Sequence, residues 1–155
     1  MISAWIAKLR SLADRELPQR LRDGRRGEEL AYRHLQREGY KVVARNYRSK
    51  SGKGEIDLLG WDGEMLACVE VKTRKNADFG RPEEFVGSEK QRHLIQAAHN
   101  YARRAKVDPA RLRYDVVSVV LEPEPVIELY KDVFTERRAP ALPALRSGAT
   151  CAAIP

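Results

Sequence analysis

The chain has 155 residues, two of them cysteines, and it carries 29 Lys and Arg against 22 Asp and Glu. This length suits one domain with a single core, and two cysteines exclude the disulfide framework that staples small secreted domains. No apolar run approaches the roughly 18 residues of a membrane span. The N-terminal segment is too interrupted by charge for a secretory signal, so we expect a soluble, cytoplasmic protein without a membrane partner.

The positive charge is concentrated at one end of the chain. Residues 1–54 hold 14 basic and 6 acidic residues, whereas residues 55–155 hold 15 and 16. A basic sector beside an acidic cluster is typical of a protein that holds a polyanion near a cation-dependent site. A solvated basic helix without functional meaning would give the same counts.

Two helices and a strand are predicted in the first third. Apolar residues at the 3-and-4 spacing predict an amphipathic helix over 2–17, which Pro18 ends. We expect this helix to pack on the domain or on a second subunit rather than on a membrane. A second helix is predicted over 25–38, before Gly39, and "YKVVARNYR" then predicts a strand.

The stretch "GEIDLLGWDGEMLACVEVK", residues 54–72, predicts a β-hairpin that carries carboxylates. A two-residue loop at Asp62 and Gly63 makes Trp61 face Glu64. The other pairs are then Leu59 with Leu66, Asp57 with Cys68, and Glu55 with Glu70. Strand alternation places Glu55, Asp57, Glu70 and Lys72 on one face and Ile56, Leu58, Val69 and Val71 on the other.

The remaining elements complete the domain. Residues 74–87 lack periodicity, and a loop of that length is often functional. A helix is predicted from Ser88 to about Arg104, with Ser88 and Gln91 as a capping box. The runs "LRYDVVSVVL" and "VIELY" predict two more strands.

The order helix, three strands, helix, two strands predicts an α/β fold with a mixed sheet flanked by helices. We expect one domain over 21–136, an N-terminal helical extension over 1–20, and an Ala- and Pro-rich disordered tail over 137–155.

The acidic face of the hairpin is a candidate metal site. Asp57 and Glu70 are diagonal neighbours in the predicted register. Their Cβ atoms would be about 7 Å apart, which is close enough for both carboxylates to reach one ion. Mg²⁺ commonly binds through one or two carboxylates plus waters and substrate phosphate. Lys72 would place an ammonium beside the ion, where it can orient water or stabilise charge on a phosphate. Glu55 is either a third ligand or a charge at the hairpin edge.

The helices offer further candidates. Glu28 faces the core side of its helix, whereas Glu29 points away and pairs with Arg33. Glu28 is either a favourable first-turn charge or a further ligand or base for water. Lys90, at the start of the later helix, either contacts phosphate or is solvated surface.

The segments "GEELAYRHLQREGY", "GEIDLLGW", "VEVKTR" and "SEKQRHLIQAAHNYARR" resemble the YraN-like family of bacterial predicted endonucleases, which is related to archaeal Holliday junction resolvases. The resemblance covers about residues 21–134. It implies a restriction-endonuclease-like core of the PD-(D/E)xK nuclease superfamily. By that match, Glu28, Asp57, Glu70 and Lys72 fall on the acidic helix residue, the two metal carboxylates and the catalytic lysine.

The sequence thus leads to the hypothesis of a Mg²⁺- or Mn²⁺-dependent endonuclease that acts on branched or single-stranded DNA in repair or recombination. The hypothesis assigns nucleic-acid contacts to Lys90, Gln91, Arg74, Arg25 and Arg26. A homodimer fits the resemblance, since junction-cleaving enzymes often cut two strands as dimers. The alternatives are a catalytically silent nucleic-acid-binding module that recruits other repair factors and an adaptor that uses its N-terminal helix.

Overall fold

A computed structural model describes residues 17–50, 52, 54–76 and 86–136 of the chain. These residues form α1 (Gln19–Arg37), β1 (Lys41–Arg48), β2 (Glu55–Asp62), β3 (Met65–Arg74), α2 (Ser88–Ala105), a 3-10 turn (Pro109–Arg111), β4 (Leu112–Val120) and β5 (Val126–Tyr130). Most of the predicted helix over 2–17, most of the predicted loop over 74–87 and all of the tail over 137–155 lie outside the described residues. Neither α1 nor α2 is apolar enough over its length to cross a membrane.

The five strands of the described residues form one mixed sheet in the order β1, β2, β3, β4, β5. Strands β3 and β4 are parallel, and every other neighbouring pair is antiparallel. The connection between the parallel strands contains α2, as a parallel pair requires a crossover. The predicted α/β architecture is therefore confirmed, and it is consistent with a restriction-endonuclease-like fold.

Within the described residues, each face of the sheet is covered by one helix. On the side of α1, the buried cluster contains Ala31, Leu35, Tyr40, Leu58, Ala67, Val69, Val117, Val119 and Leu121. On the side of α2, it contains Ile56, Leu59, Leu66, Cys68, Val86, Leu94, Ala97, Ala98, Tyr114, Val116 and Phe134. The central strands are buried on both faces, which explains their nearly continuous apolar sequences.

Helix α1 begins six residues before its predicted start at residue 25. Pro18 lies at the N-cap, and Gln19 donates to Asp23 one turn later at 2.8 Å. The first turns of α1 are polar, and Gly24 is a weak helix former. The spacing of apolar residues therefore did not indicate a helix before residue 25.

The predicted capping box at the start of α2 is wrong. Ser88 is the first helical residue, and Gly87 occupies the N-cap without a side-chain hydrogen bond to the helix. The amide Nε2 of Gln91 instead donates to the carbonyl of Val86 at 2.8 Å. Gln91 therefore holds the chain that enters the helix.

The predicted register of the hairpin is also wrong, by two residues. Asp62 pairs with Met65 and Trp61 with Leu66, so the two-residue loop consists of Gly63 and Glu64. Gly63 has φ of +60°, which a type II′ turn requires at its first central position and which glycine adopts without steric cost. Because the shift is even, it does not move any side chain to the other face.

Strand β2 departs from regular alternation at Asp57. Leu58 packs on the α1 side, but Ile56 packs on the α2 side instead of sharing the face of Leu58 as predicted. The paired residues of β2 and β3 extend only as far as Leu58 with Val69. Beyond them, the backbone N–H of Val71 donates to Oδ2 of Asp57 at 2.7 Å. The carboxylate of Asp57 thus replaces a backbone acceptor of the ladder.

Candidate active site

Glu70 is a nearly buried carboxylate held between two lysines. Its side chain is 5% exposed; Nζ of Lys72 lies 2.9 Å from Oε1, and Nζ of Lys90 lies 3.2 Å from Oε2. The Lys72 contact is a hydrogen bond, whereas Oε2 is buried without a hydrogen-bond partner. One oxygen of Glu70 therefore faces a cation without an accepted hydrogen bond.

Asp57 lies beside Glu70 and binds its proton unusually tightly. The pKa of Asp57 is raised to about 7, mainly by burial and then by the negative charges of Glu70 and Glu28, which together outweigh the lowering effects of the Val71 N–H and of Lys90. Desolvation and a like charge both disfavour the ionised carboxylate.

Asp57 and Glu70 have the properties of a divalent-cation site. The raised pKa of Asp57 indicates more negative charge than the surroundings neutralise, and Oε2 of Glu70, although ion-paired with Lys90, accepts no hydrogen bond. Carboxylate oxygens suit Mg²⁺ and Mn²⁺, and Mg²⁺ needs only one or two carboxylates when waters complete its shell. Among the described residues, no three or more His, Cys, Asp or Glu side chains are grouped to hold a metal. The arrangement thus does not group the predicted ligand Glu28 with Asp57 and Glu70.

Glu28 lies in a cleft of about 530 Å³ between the first half of α1 and the end of β3, here named the first cleft. Its lining residues are Gln19, Arg20, Asp23, Gly24, Glu28, Val71, Lys72, Thr73, Arg74 and Lys75. Glu28 and Lys72 therefore line the same cleft. Cations outnumber carboxylates in this lining by four to two, which suits an anionic ligand.

The contact between Gly27 and Thr73 places Glu28 at this cleft. Gly27 is buried, and a Cβ added there would lie 1.8 Å from Oγ1 of Thr73. Only a glycine lets α1 approach β3 this closely. Glu29, on the other side of Glu28, forms the predicted ion pair with Arg33 at 2.9 Å and a second one with Arg45 at 3.2 Å.

A second cleft, of about 350 Å³, lies between the β1–β2 connection and α2. It is lined by Arg48, Gly52, Gly54, Glu55, Lys90 and His93. Glu55 forms an ion pair with Arg48 at 3.2 Å. Of the two predictions for Glu55, the charge at the hairpin edge matches these contacts.

The predicted nucleic-acid contacts are distributed unequally. Arg74 lines the first cleft and Lys90 the second, whereas the Gln91 amide is engaged with a backbone carbonyl. Arg25 and Arg26 are exposed on α1 and line neither cleft. The sequence reasoning missed three cleft cations, which are Arg20, Arg48 and Lys75. Arg20 could have been found, because it precedes Glu28 at helical spacing once α1 is extended to Gln19.

The chain matches the model of a family described as "Uncharacterised protein family UPF0102" over residues 27–119, a region that contains Glu28, Asp57, Glu70, Lys72 and Lys90. It is 54% identical over 111 residues to a UPF0102 protein of Solibacter usitatus, in an alignment that covers 72% of this chain and 84% of the relative. A UPF0102 protein of Koribacter versatilis is 40% identical over 124 residues, with 79% and 86% covered. One of Syntrophus aciditrophicus is 39% identical over 119 residues, with 76% and 92% covered.

Proposed function

The chain belongs to the uncharacterised protein family UPF0102, and we propose that it is a cytoplasmic, Mg²⁺- or Mn²⁺-dependent endonuclease acting on branched or single-stranded DNA. The observation that carries this proposal is the buried Glu70 carboxylate next to Asp57, with Lys72 on one of its oxygens. The resemblance to YraN-like predicted endonucleases is in line with it.

Asp57 and Glu70 would hold the metal ion, which supplies Lewis-acid stabilisation of a phosphoryl oxygen and a more acidic water. The raised pKa of Asp57 and the Glu70 oxygen that accepts no hydrogen bond are the features that a divalent cation satisfies. The Val71 N–H fixes the Asp57 carboxylate at the point where β2 leaves the ladder, so a cation meets preset ligands and little reorganisation is required.

Lys72 and Glu28 divide the remaining tasks in the first cleft. Lys72 is 31% exposed, so its ammonium reaches the cleft while Glu70 fixes its position. It stabilises negative charge that develops on the phosphate. Glu28 accepts a proton from the attacking water, and Arg20, Arg74 and Lys75 bind the neighbouring phosphates.

Cleavage assays with defined DNA structures test the proposal. Labelled single-stranded, duplex and four-way-junction DNA would be incubated with Mg²⁺, Mn²⁺ or chelator. We expect metal-dependent cleavage that falls at least about 100-fold in Asp57→Asn, Lys72→Met and Glu28→Gln, since each removes a group that acts on the reacting phosphate or water.

Glu29→Gln is the matched control for Glu28→Gln. It makes the same chemical change one residue later, on the face of α1 where Glu29 contacts Arg33 and Arg45, and it should cleave like the parent. The proposal is wrong if no DNA structure is cut with either metal, or if Asp57→Asn cuts as fast as the parent.

The pairing of Glu70 with two lysines favours one competing function, a nucleic-acid-binding module without turnover. Two ammonium groups on one carboxylate neutralise it without a metal. This function predicts DNA binding of equal affinity with chelator and with Mg²⁺, and no cleavage by any variant.

A further inference from the structure

Lys90 connects the second cleft to the metal-binding carboxylates. It lies in the first turn of α2, and its ammonium reaches Oε2 of Glu70 at 3.2 Å. The side chain is 39% exposed, whereas that of Glu70 is only 5% exposed. One side of the ammonium therefore contacts Glu70 and the other faces the cleft that Lys90 lines.

We propose that the second cleft is a phosphate-binding subsite for the nucleic-acid strand, and that Lys90 exchanges between Glu70 and a phosphate of that strand. The proposal rests on the proposed function, because it assigns the strand a path past Glu70. Lys90 pairs with Glu70 when the site is empty and with the phosphate when a strand is bound.

The charges and backbone of the second cleft suit a phosphate. Arg48 and Lys90 provide two cations, and the carboxylate of Glu55 is paired with Arg48. The cleft lies at the start of α2, whose N-cap Gly87 provides no side-chain acceptor to the first-turn N–H groups. The helix dipole at this end favours an anion.

The second cleft is also closely packed at Gly54. Gly54 has φ of +95°, and a Cβ added there would lie 2.2 Å from the carbonyl oxygen of His93. Gly54 thus packs directly against the backbone of α2. A preformed cleft lowers the ordering cost of binding.

The geometry at Glu70 determines how a cation and a phosphate affect each other. Lys72 occupies Oε1 with a hydrogen bond, whereas Lys90 faces Oε2, which accepts none. Lys90 would therefore give way to a divalent cation held by Glu70 more readily than Lys72 would, and its ammonium would then be available to a phosphate. By linkage, the strand must strengthen metal binding by the same factor as the metal strengthens strand binding.

The test measures two binding equilibria in the full-length protein. Mn²⁺ binding would be followed by electron paramagnetic resonance with and without a phosphorothioate oligothymidylate, a charged and cleavage-resistant single strand. In the parent, we expect the oligonucleotide to tighten Mn²⁺ binding at least about five-fold, within the usual range of coupling between sites.

Lys90→Met should affect the binding of Mn²⁺ and the binding of the oligonucleotide in opposite directions, because the lysine competes with the first and contacts the second. Without oligonucleotide, the variant should bind Mn²⁺ several-fold more tightly than the parent, because no ammonium competes for Glu70. It should bind the oligonucleotide more weakly, and the coupling factor should fall to about one. A purely structural lysine would lower both affinities.

Arg92→Met is the matched control, since Arg92 is exposed on the same helix and its loss changes the net charge equally. It should leave Mn²⁺ affinity and the coupling factor unchanged. The proposal is overturned if Lys90→Met binds Mn²⁺ no more tightly than the parent, or if it retains the coupling. It is also overturned if an oligonucleotide with uncharged methylphosphonate linkages gives the same coupling.

These outcomes separate this proposal from the proposed function, because no turnover is measured. A parent that cuts DNA but shows no coupling refutes the exchange of Lys90 and leaves the endonuclease standing. A parent that shows coupling but cuts no DNA refutes the endonuclease and leaves the exchange standing.

Discussion

The partly buried carboxylate of Asp57 lowers the stability of the metal-free protein when it is ionised, and the same carboxylate is the proposed metal ligand. Its raised pKa means that the folded, metal-free chain holds a proton that the unfolded chain releases near pH 4. The unfolded state then binds fewer protons between about pH 4 and pH 7, so the free energy of unfolding falls as the pH rises through that range.

We therefore expect Asp57→Asn to stabilise the metal-free protein at pH 8 and to have little effect at pH 4. The gain should be on the order of a few kcal/mol, since one pKa unit corresponds to about 1.4 kcal/mol, and the Asn carbonyl can still accept from the Val71 N–H. Urea denaturation with chelator at both pH values measures it. Glu64→Gln, in the exposed turn of the same hairpin, is the control and should change neither value; an Asp57→Asn variant less stable than the parent at pH 8 would contradict the argument.

Arg113, unlike Asp57, has a purely structural role: it neutralises a buried carboxylate. Its guanidinium donates twice to Asp115, which is fully buried, and once to Asp62. The hydroxyl of Tyr40 and the backbone N–H of Asp132 also donate to Asp115. This network fixes the start of β4 to β2 and, through Tyr40, to the connection between α1 and β1.

Arg113→Met should destabilise the protein by about 3–5 kcal/mol, because it leaves a buried carboxylate without its cation. The double variant Arg113→Met with Asp115→Asn should recover part of that loss. Both are measured by urea denaturation at neutral pH. A loss below about 1 kcal/mol in the single variant would show that the network does not stabilise the fold.

At the scale of elements, the docking of α1 on β3 depends on one missing methyl group. A Cβ at Gly27 would collide with Thr73, whereas one at Gly24, a turn earlier in the same helix, would meet no atom within 4 Å. The two glycines therefore have opposite requirements, although both are helical.

Gly24→Ala should stabilise the protein by about 0.5–1 kcal/mol, the usual gain in a helix interior. Gly27→Ala should destabilise it by about 1–3 kcal/mol through overpacking and should reduce cleavage, because Glu28 moves with the helix. Thr73→Ala, combined with Gly27→Ala, should restore part of the stability. Thermal unfolding and the cleavage assay measure these effects; equal stabilities for the two alanine variants would contradict the packing argument.

The element scale also shows where sequence reasoning succeeds. The apolar runs of β2 to β5 and the stripe of α2 identified their elements, since burial on the sheet is strong and periodic there. The hairpin turn was misplaced because "WDGEM" permits either Asp62–Gly63 or Gly63–Glu64 as the loop. Asp62 is retained in the strand, where it accepts hydrogen bonds from Arg113 and Lys131, both of which are distant in sequence.

The residues of the candidate site could be proposed from the sequence, whereas the contacts between them could not. The types and spacing of Asp57, Glu70 and Lys72 follow from local hairpin chemistry. The break in alternation at Asp57 depends on a side-chain acceptor for the Val71 N–H, and the Lys90 contact depends on the packing of α2. Neither feature follows from the hydrophobic periodicity of the sequence, because each depends on a contact between separate segments.

At the scale of the whole molecule, two clefts with basic linings are linked to Glu70, the first through Lys72 and the second through Lys90. Their cations come from both α1 and α2 and from the ends of β1 and β3. A polyanion bound there would release counterions from several positions at once, so its affinity should depend steeply on salt.

The logarithm of the affinity for single-stranded DNA should fall linearly with the logarithm of salt concentration, with chelator present to prevent cleavage. Replacing Arg20 and Lys75 of the first cleft by Gln should reduce the slope by about 0.7 for each phosphate that is no longer neutralised. Fluorescence anisotropy over a salt series measures it. Arg104→Gln, at the far end of α2, should leave the slope unchanged; an unchanged slope in the cleft variants would exclude the first cleft from DNA binding.

The two-residue turn at Gly63 and Glu64 has a consequence for the order of folding. It brings Asp57, Glu70 and Lys72 together within one short stretch of chain, whose closure costs little entropy. Lys90 and Glu28 arrive only when the helices pack against the sheet from either side, and the parallel pairing of β3 with β4 waits for the crossover through α2. We therefore expect the carboxylates to meet early, in water, and their partial neutralisation by Lys90 to be among the last steps of folding.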